Sequence, residues 1–104
     1  MKELCVYQGK TGAIDEVKRI LNTPWLGEEG YTKRRIPKTH ELKNHIRYYE
    51  QNVREGLFWT TSSFEPNGDG RRLFLKSTHV EGEYVFVEDY YSAEAHVFVI
   101  HSKP

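Results

Sequence analysis

The chain of 104 residues contains a single cysteine, Cys5, so no disulfide can form within it. It also lacks any run approaching the roughly 18 apolar residues that a membrane-spanning helix needs. Its first residues, MKELCVYQGKTG, do not include the apolar core of a secretory signal peptide. These three absences predict a cytoplasmic protein that does not enter a membrane.

Net charge is absent as well, because 15 Lys and Arg residues balance 15 Asp and Glu residues. This balance argues against a strongly basic, dedicated nucleic-acid-binding protein, although an average can conceal separated charges. Residues 31–47, the basic segment, contain six basic side chains and one acid, whereas residues 81–94, the acidic segment, contain five acids and no base. The sequence therefore predicts two surfaces of opposite charge, which either pair with each other or face separate partners.

Motifs for metal or phosphate chemistry are also missing. His40 and His45 are five residues apart on a predicted helix, which places them about 140° apart around its axis. His96 and His101 are five apart on a predicted strand and so project from opposite faces. A single cysteine cannot complete a thiolate site, and the chain has no Gly-rich phosphate loop or nucleophile motif. We expect no bound metal and no cofactor.

The apolar pattern predicts one α+β domain spanning residues 1–104. The strand ELCVYQG precedes a helix in TGAIDEVKRILNTP, which Pro24 ends. A second helix begins at the N-cap Thr39 and ends at Gly56, with an apolar stripe formed by Leu42, Ile46, Tyr49 and Val53. Four strand candidates follow: LFWTTSSF, RLFLKSTHV, YVFVEDYYS and HVFVIHS. This β-α-α-β-β-β-β order predicts a two-layer sandwich, a mainly antiparallel sheet with both helices on one face.

Short links between the last four strands predict an antiparallel meander. With EGE as the turn, Lys76 is expected to lie opposite Glu88. Both faces of these strands carry apolar residues, so the face away from the helices is expected to keep exposed aromatic side chains. An exposed edge at LFWTTSSF or HVFVIHS could also pair two copies of the chain.

The basic segment contains the clearest signal for ligand binding. Several of its cations precede the start of the second helix, where free backbone N–H groups and the helix dipole favour an anion. Arginine adds forked donors that match phosphate oxygens, and two nearby aromatic rings could stack on a base. The same cations could instead form an ordinary solvated surface. The candidate anion- or nucleic-acid-binding residues are Lys33, Arg34, Arg35, Lys38, His40, Lys43 and Arg47, with Tyr31 and Trp25 as the stacking rings.

The predicted order of elements resembles that of RelE/ParE-type toxins, which are small cytosolic proteins directed at the ribosome or at gyrase. The resemblance concerns topology alone. It implies an RNA-directed function as one alternative and assigns no catalytic residue to this chain.

Two main functions follow from these features. The first is a protein-interaction module of the inhibitor or adaptor type, such as phages and mobile elements encode, which would bind a protein partner. Its candidate interface joins the aromatic sheet face to the acidic segment and consists of Tyr84, Glu88, Tyr90, Tyr91 and Glu94. The alternative is an RNA- or nucleotide-phosphate-binding domain, or a metal-independent ribonuclease.

A small-molecule enzyme is a weaker third interpretation. Its pocket would lie between the long loop that follows the first helix and the edge of the sheet. An acid–base site in such an enzyme would require four strand residues to converge at one end of the sheet: His79, His96, Glu88 and Tyr90.

Overall fold

The structure is a computed structural model that describes residues 3–24, 30–47, 55–80, 82–89 and 94–103. Several residues singled out by the sequence lie outside these ranges. They are two predicted helix-stripe residues and three predicted binding residues: Tyr49, Val53, Trp25, Tyr90 and Tyr91.

Two helices form where the apolar spacing predicts them. Helix α1, Ile14–Asn22, ends just before Pro24 and buries Val17. Helix α2, Thr39–Ile46, buries Leu42 and Ile46, the first two residues of the predicted stripe. The N-cap of α2 is Lys38 rather than Thr39, and the backbone N–H of Lys38 donates to the Glu41 carboxylate at 2.9 Å.

Within the described ranges, six strands form one mixed sheet, which confirms the predicted α+β class. The strands are β1 Glu3–Thr11, β2 Lys33–Arg35, β3 Leu57–Phe58, β4 Arg72–Ser77, β5 Tyr84–Asp89 and β6 Ala95–Ser102. Their order across the sheet is β1-β6-β3-β4-β5, and β2 also pairs with β6. Relative to the predicted order, the structure adds one short strand, β2, between the helices.

The central position of β6 overturns two predictions. This strand pairs antiparallel with β1 and parallel with β3, so the last four strands do not form a meander. All eight residues of β6 are buried, so HVFVIHS is an interior strand. LFWTTSSF supplies only the two residues of β3, followed by a 3-10 turn at Thr61–Phe64. Neither segment is an exposed edge available for dimerisation, and the strands at the two ends of the order are β1 and β5.

The two helices pack into separate cores. Val17 of α1 belongs to a cluster with Val97 and Val99 of β6, whereas Leu42 of α2 belongs to a cluster with Phe98. Because successive residues of a strand point to opposite faces, the helices lie on opposite faces of the sheet. On each face of the sheet, one helix packs against the strands, so helix and sheet form two layers there. The predicted placement of both helices on one face is wrong.

The β4–β5 hairpin has a different register from the predicted one. Lys76 lies opposite Val85 rather than Glu88, a shift of three residues, and Glu88 instead lies opposite Leu73. The reason is a turn that begins earlier than EGE. The N–H of Thr78 donates to the Glu83 carbonyl at 3.0 Å, which closes a longer connection between the two strands.

Candidate interaction surfaces

Arg35, at the end of β2, is held by carboxylates of its own neighbourhood. Its Nη1 and Nη2 atoms donate to the two carboxylate oxygens of Glu41 at 2.8 and 2.7 Å. Nη2 also lies 3.5 Å from a carboxylate oxygen of Glu3. This forked arrangement is the geometry that Arg would use for phosphate, and here a protein carboxylate occupies it.

The Arg35–Glu41 pair also changes the proton affinity of both groups. Hydrogen bonds from Arg35, and next the one from the backbone of Lys38, hold the pKa of Glu41 at about 2, against burial, which acts to raise it. The hydrogen bonds to Glu41 in turn raise the pKa of Arg35. Cys5 lies near this pair, and burial, followed by the charge of Glu41, raises the pKa of its thiol to about 11. A thiol with this pKa is protonated at neutral pH and is a poor nucleophile.

Two other predicted binding residues have structural roles. The Nε of Arg34 donates to the carbonyl of Leu21 at 2.7 Å, which ties β2 to the last turn of α1. The side chain of Tyr31 is only 3% exposed, and the Nζ of Lys103 lies 5.0 Å from its ring centroid. The ring of Tyr31 is therefore not available to stack on a base.

The remaining cations of the basic segment are exposed at β2 and on α2. One of them approaches the sheet, because the Nζ of Lys43 lies 5.8 Å from the ring centroid of Tyr84 in β5. This contact joins α2 to the strand that carries the acidic residues. The exposed members are Lys33, Lys38, His40, Lys43 and Arg47.

The β4–β5 hairpin carries the largest exposed apolar side chains among the described residues. Phe86 is 47% exposed and Leu73 is 37% exposed, while Val80 in the turn and Val85 are exposed to similar extents. Leu73 lies opposite Glu88, two residues from Phe86 on the same face, so Leu73 and Phe86 are diagonal neighbours. They form one apolar patch, which we call the hairpin patch.

The described members of the predicted protein interface surround the hairpin patch only in part. Glu88 lies on the same face of β5 as Phe86, and its carboxylate is 3.7 Å from the guanidinium of Arg71. Tyr84, on that face too, is half-buried against the α2 cluster. Glu94 is exposed just before β6. Because β3 separates β6 from the β4–β5 hairpin, Glu94 lies apart from the outer edge of that hairpin.

The sequence alone does not identify the hairpin patch residue by residue. It does contain a signal for the patch, since RLFLKS and YVFVED alternate without a consistently polar face. Such a hairpin exposes apolar groups unless both of its faces are covered. The two helices cover the centre of the sheet on either side, and the outer hairpin keeps its apolar residues at the surface.

A buried histidine interacts with residues distant in the sequence. The Oη of Tyr7 lies 2.7 Å from the Nδ1 of His96, and the Nε2 of His96 lies 2.7 Å from the carbonyl oxygen of Glu55. A neutral imidazole satisfies both contacts, with Nε2–H donating to the carbonyl and Nδ1 accepting from the tyrosine hydroxyl. Burial lowers the pKa of His96, which favours this neutral form.

The predicted acid–base residues do not converge around His96. Glu88 is on β5, three strands from β6 in the sheet order, which corresponds to about 14 Å. His79 lies exposed in the β4–β5 turn. Tyr90, the fourth predicted member, lies outside the described residues. The environment of His96 therefore indicates a structural role in joining β1, β3 and β6.

Two small clefts lie beside the helices. One of about 140 Å³ is lined by residues of α1 and β1 and by the buried His101. The other, of about 130 Å³, lies between α2 and β1 and includes Cys5 and Glu41. Both are smaller than the roughly 300–1,000 Å³ of typical ligand pockets. Within the described ranges, no three His, Cys, Asp or Glu side chains are grouped to hold a metal ion.

No helix in the described part of the chain is long and apolar enough to cross a membrane. Comparison with known proteins adds no assignment: no protein-family model matches the chain, and no curated protein or solved structure matches it significantly.

Proposed function

We propose that the protein is a cytoplasmic protein-interaction module of the adaptor or inhibitor type, and that the hairpin patch is its binding surface. The observation that supports this most directly is the exposure of Phe86 beside Leu73 on the outermost hairpin of the sheet. Exposed apolar groups clustered in this way are typical of protein-binding sites, and aromatic residues are common among the energetically dominant interface residues.

The electrostatics of the basic segment favour this function over RNA binding. Arg35 is bound by Glu41 and Glu3, and Arg34 donates to a backbone carbonyl. The two arginines best suited to phosphate thus have protein partners already. The exposed lysines of β2 and α2 still support the alternative of an RNA- or nucleotide-phosphate-binding domain, for which affinity would fall steeply with salt.

The test is affinity capture from extract, with and without nuclease treatment, using three forms of the protein. They are the wild type, the Phe86→Ser variant, and the control variant Lys38→Ser, which alters an exposed residue of the basic segment. We expect the same partner to be captured by the wild type and by Lys38→Ser, and to be lost with Phe86→Ser because the hairpin patch is interrupted. Purified partner and protein should then reproduce this order in a direct binding measurement.

Other outcomes would contradict the proposal. A partner that disappears after nuclease treatment and with Lys38→Ser, but not with Phe86→Ser, would indicate RNA binding. Capture that is unaffected by Phe86→Ser would exclude the hairpin patch as the binding surface.

A further inference from the structure

The outer side of β5 presents backbone groups that can accept another strand. In an antiparallel pair, hydrogen-bonded and non-hydrogen-bonded residue pairs alternate. The hydrogen bond from the N–H of Thr78 to the Glu83 carbonyl marks Thr78 and Glu83 as a hydrogen-bonded pair. Counting along the register, Val85 and Val87 direct their backbone groups toward β4, whereas Phe86 and Glu88 direct theirs away from it. No strand in the described part of the chain pairs with this outer side.

The other terminal strand of the sheet is less suited to strand addition. In β1 the register with β6 shifts between Tyr7 and Gly9, which leaves Gln8 as an extra residue in a β-bulge. Bulges twist an edge and interrupt its row of donors and acceptors, which is a common protection of edges against pairing. The register between β4 and β5 is continuous over all six residues of β5.

The chemistry of β5 restricts the partner. Phe86 and Glu88 point to the same face, so an added strand would place alternate side chains against them. Glu83 and Glu88 are exposed and β5 itself has no basic residue, and the Glu88 side chain stays 43% exposed although the guanidinium of Arg71 lies 3.7 Å from its carboxylate. An apolar side chain next to a cationic one therefore complements this edge. A second copy paired about Phe86 would instead bring Glu83 opposite Asp89, two like charges.

We propose, building on the function above, that the partner contributes an extended segment that pairs with the outer edge of β5 as an additional strand. This segment carries an apolar side chain against Phe86 and, two residues away, a Lys or Arg against Glu88. Backbone hydrogen bonds to Phe86 and Glu88 supply affinity, and the two side-chain contacts supply specificity.

The test uses three blocked synthetic peptides as probes with the full-length protein. The first has the sequence Thr-Lys-Thr-Val-Thr-Lys-Thr-Val, the second replaces both lysines by glutamates, and the third is the first with alternate backbone nitrogens methylated. Binding is followed by NMR, together with hydrogen exchange of the backbone amides. We expect the first peptide to bind and to slow exchange at the amides of Phe86 and Glu88. The glutamate peptide should bind about fivefold more weakly, as for loss of one exposed ion pair, and the methylated peptide should not bind.

Two variants at one position separate backbone pairing from charge. Glu88→Gln removes the carboxylate and keeps the outward N–H, so the lysine peptide should bind only severalfold more weakly. Glu88→Pro also removes the N–H, which β4 does not use, and should abolish binding while leaving the fold intact. If Glu88→Pro does not fold, the methylated peptide with the wild-type protein makes the same distinction.

Three results would overturn the proposal. The first is that no lysine peptide binds, or that it binds without protecting Phe86 and Glu88. The second is that Glu88→Gln and Glu88→Pro bind the lysine peptide with equal affinity, or that the wild-type protein binds the methylated peptide as tightly as the unmethylated one. The third is protection of these amides through self-association without peptide, seen by sedimentation, which would make a second copy the occupant. The first two results leave the proposed function intact if Phe86→Ser still abolishes partner capture, because the hairpin patch would then bind through side chains alone.

Discussion

The ion pair between Arg35 and Glu41 gives a quantitative test of how the basic segment is held. We consider the substitution Glu41→Gln, which removes the negative charge but keeps an oxygen able to accept from the Lys38 backbone. The forked hydrogen bonds from Arg35 lower the pKa of Glu41 from an ordinary 4.5 to about 2. A group whose pKa is lowered by folding stabilises the folded state when it is ionised.

The size of this contribution follows from the pKa and from exposure. A change of one pKa unit corresponds to about 1.4 kcal/mol, so the full shift would give roughly 3 kcal/mol. The Glu41 side chain is 19% exposed but that of Arg35 is 41% exposed, and solvent screens such a pair. We therefore expect Glu41→Gln to lower the free energy of unfolding by about 1–2 kcal/mol at pH 7.

The pH dependence of this loss is the sharper measurement. The carboxylate contribution is complete above pH 4.5, the ordinary pKa, and is lost as the pH falls toward about 2, where folded Glu41 also becomes protonated. The difference between wild type and variant should therefore be full at pH 7, smaller at pH 3 and near zero at pH 2. Urea unfolding followed by circular dichroism at these pH values measures it.

A matched control uses a more exposed ion pair of the same type. Glu16 pairs with Arg19 on the surface of α1, so Glu16→Gln should change stability much less than Glu41→Gln does. The reasoning would be refuted by an equal loss in both variants. It would also be refuted if Glu41→Gln destabilised the protein by the same amount at pH 3 as at pH 7.

Two further predictions concern the buried core. Phe98 is fully buried in the α2 cluster, so Phe98→Ala should lower the free energy of unfolding by about 3–5 kcal/mol. Phe86→Ala on the hairpin patch should lower it by no more than about 1 kcal/mol. Similar urea midpoints for the two variants would contradict the assigned burial. Burial lowers the pKa of His96 below 6.5. As the pH falls through 6.5, the imidazole is therefore protonated in the unfolded chain before it is protonated in the folded one. The free energy of unfolding should decline below pH 6.5 for this reason. The NMR signal of the His96 ring should show it less than half protonated at pH 6.5, and a ring that is half protonated or more there would show the prediction to be wrong.

Local patterns in the sequence predicted individual elements well because those elements depend on local chemistry. Pro24 ends α1, and the spacing of Leu42 and Ile46 identifies the buried face of α2. The placement of the helices on opposite faces was not predictable in the same way. It depends on β2, a strand of three residues in which Arg34 extends toward α1 and Arg35 toward α2.

Non-local pairing accounts for the other errors. Nothing local distinguishes HVFVIHS as the strand between β1 and β3, because that position is decided by partners far away in the sequence. The same limit applies to the binding residues. The sequence identifies Arg35 as a cation, but only folding brings Glu41 and Glu3 to it. Phe86 was within a predicted strand, and its exposure depends on where the helices stop covering the sheet.

The position of β6 in the sheet has a consequence for how the protein is made. Residues Ala95–Ser102 pair with β1, β2 and β3. The pairing with β1 joins residues as distant in the sequence as Glu3 and Ser102. A nascent chain on the ribosome cannot assemble this sheet until residue 102 has left the exit tunnel, since the strand that joins the other three is synthesised after them. The hydrophobic interior therefore closes late, and the apolar faces of the earlier strands lack their central partner until β6 is available.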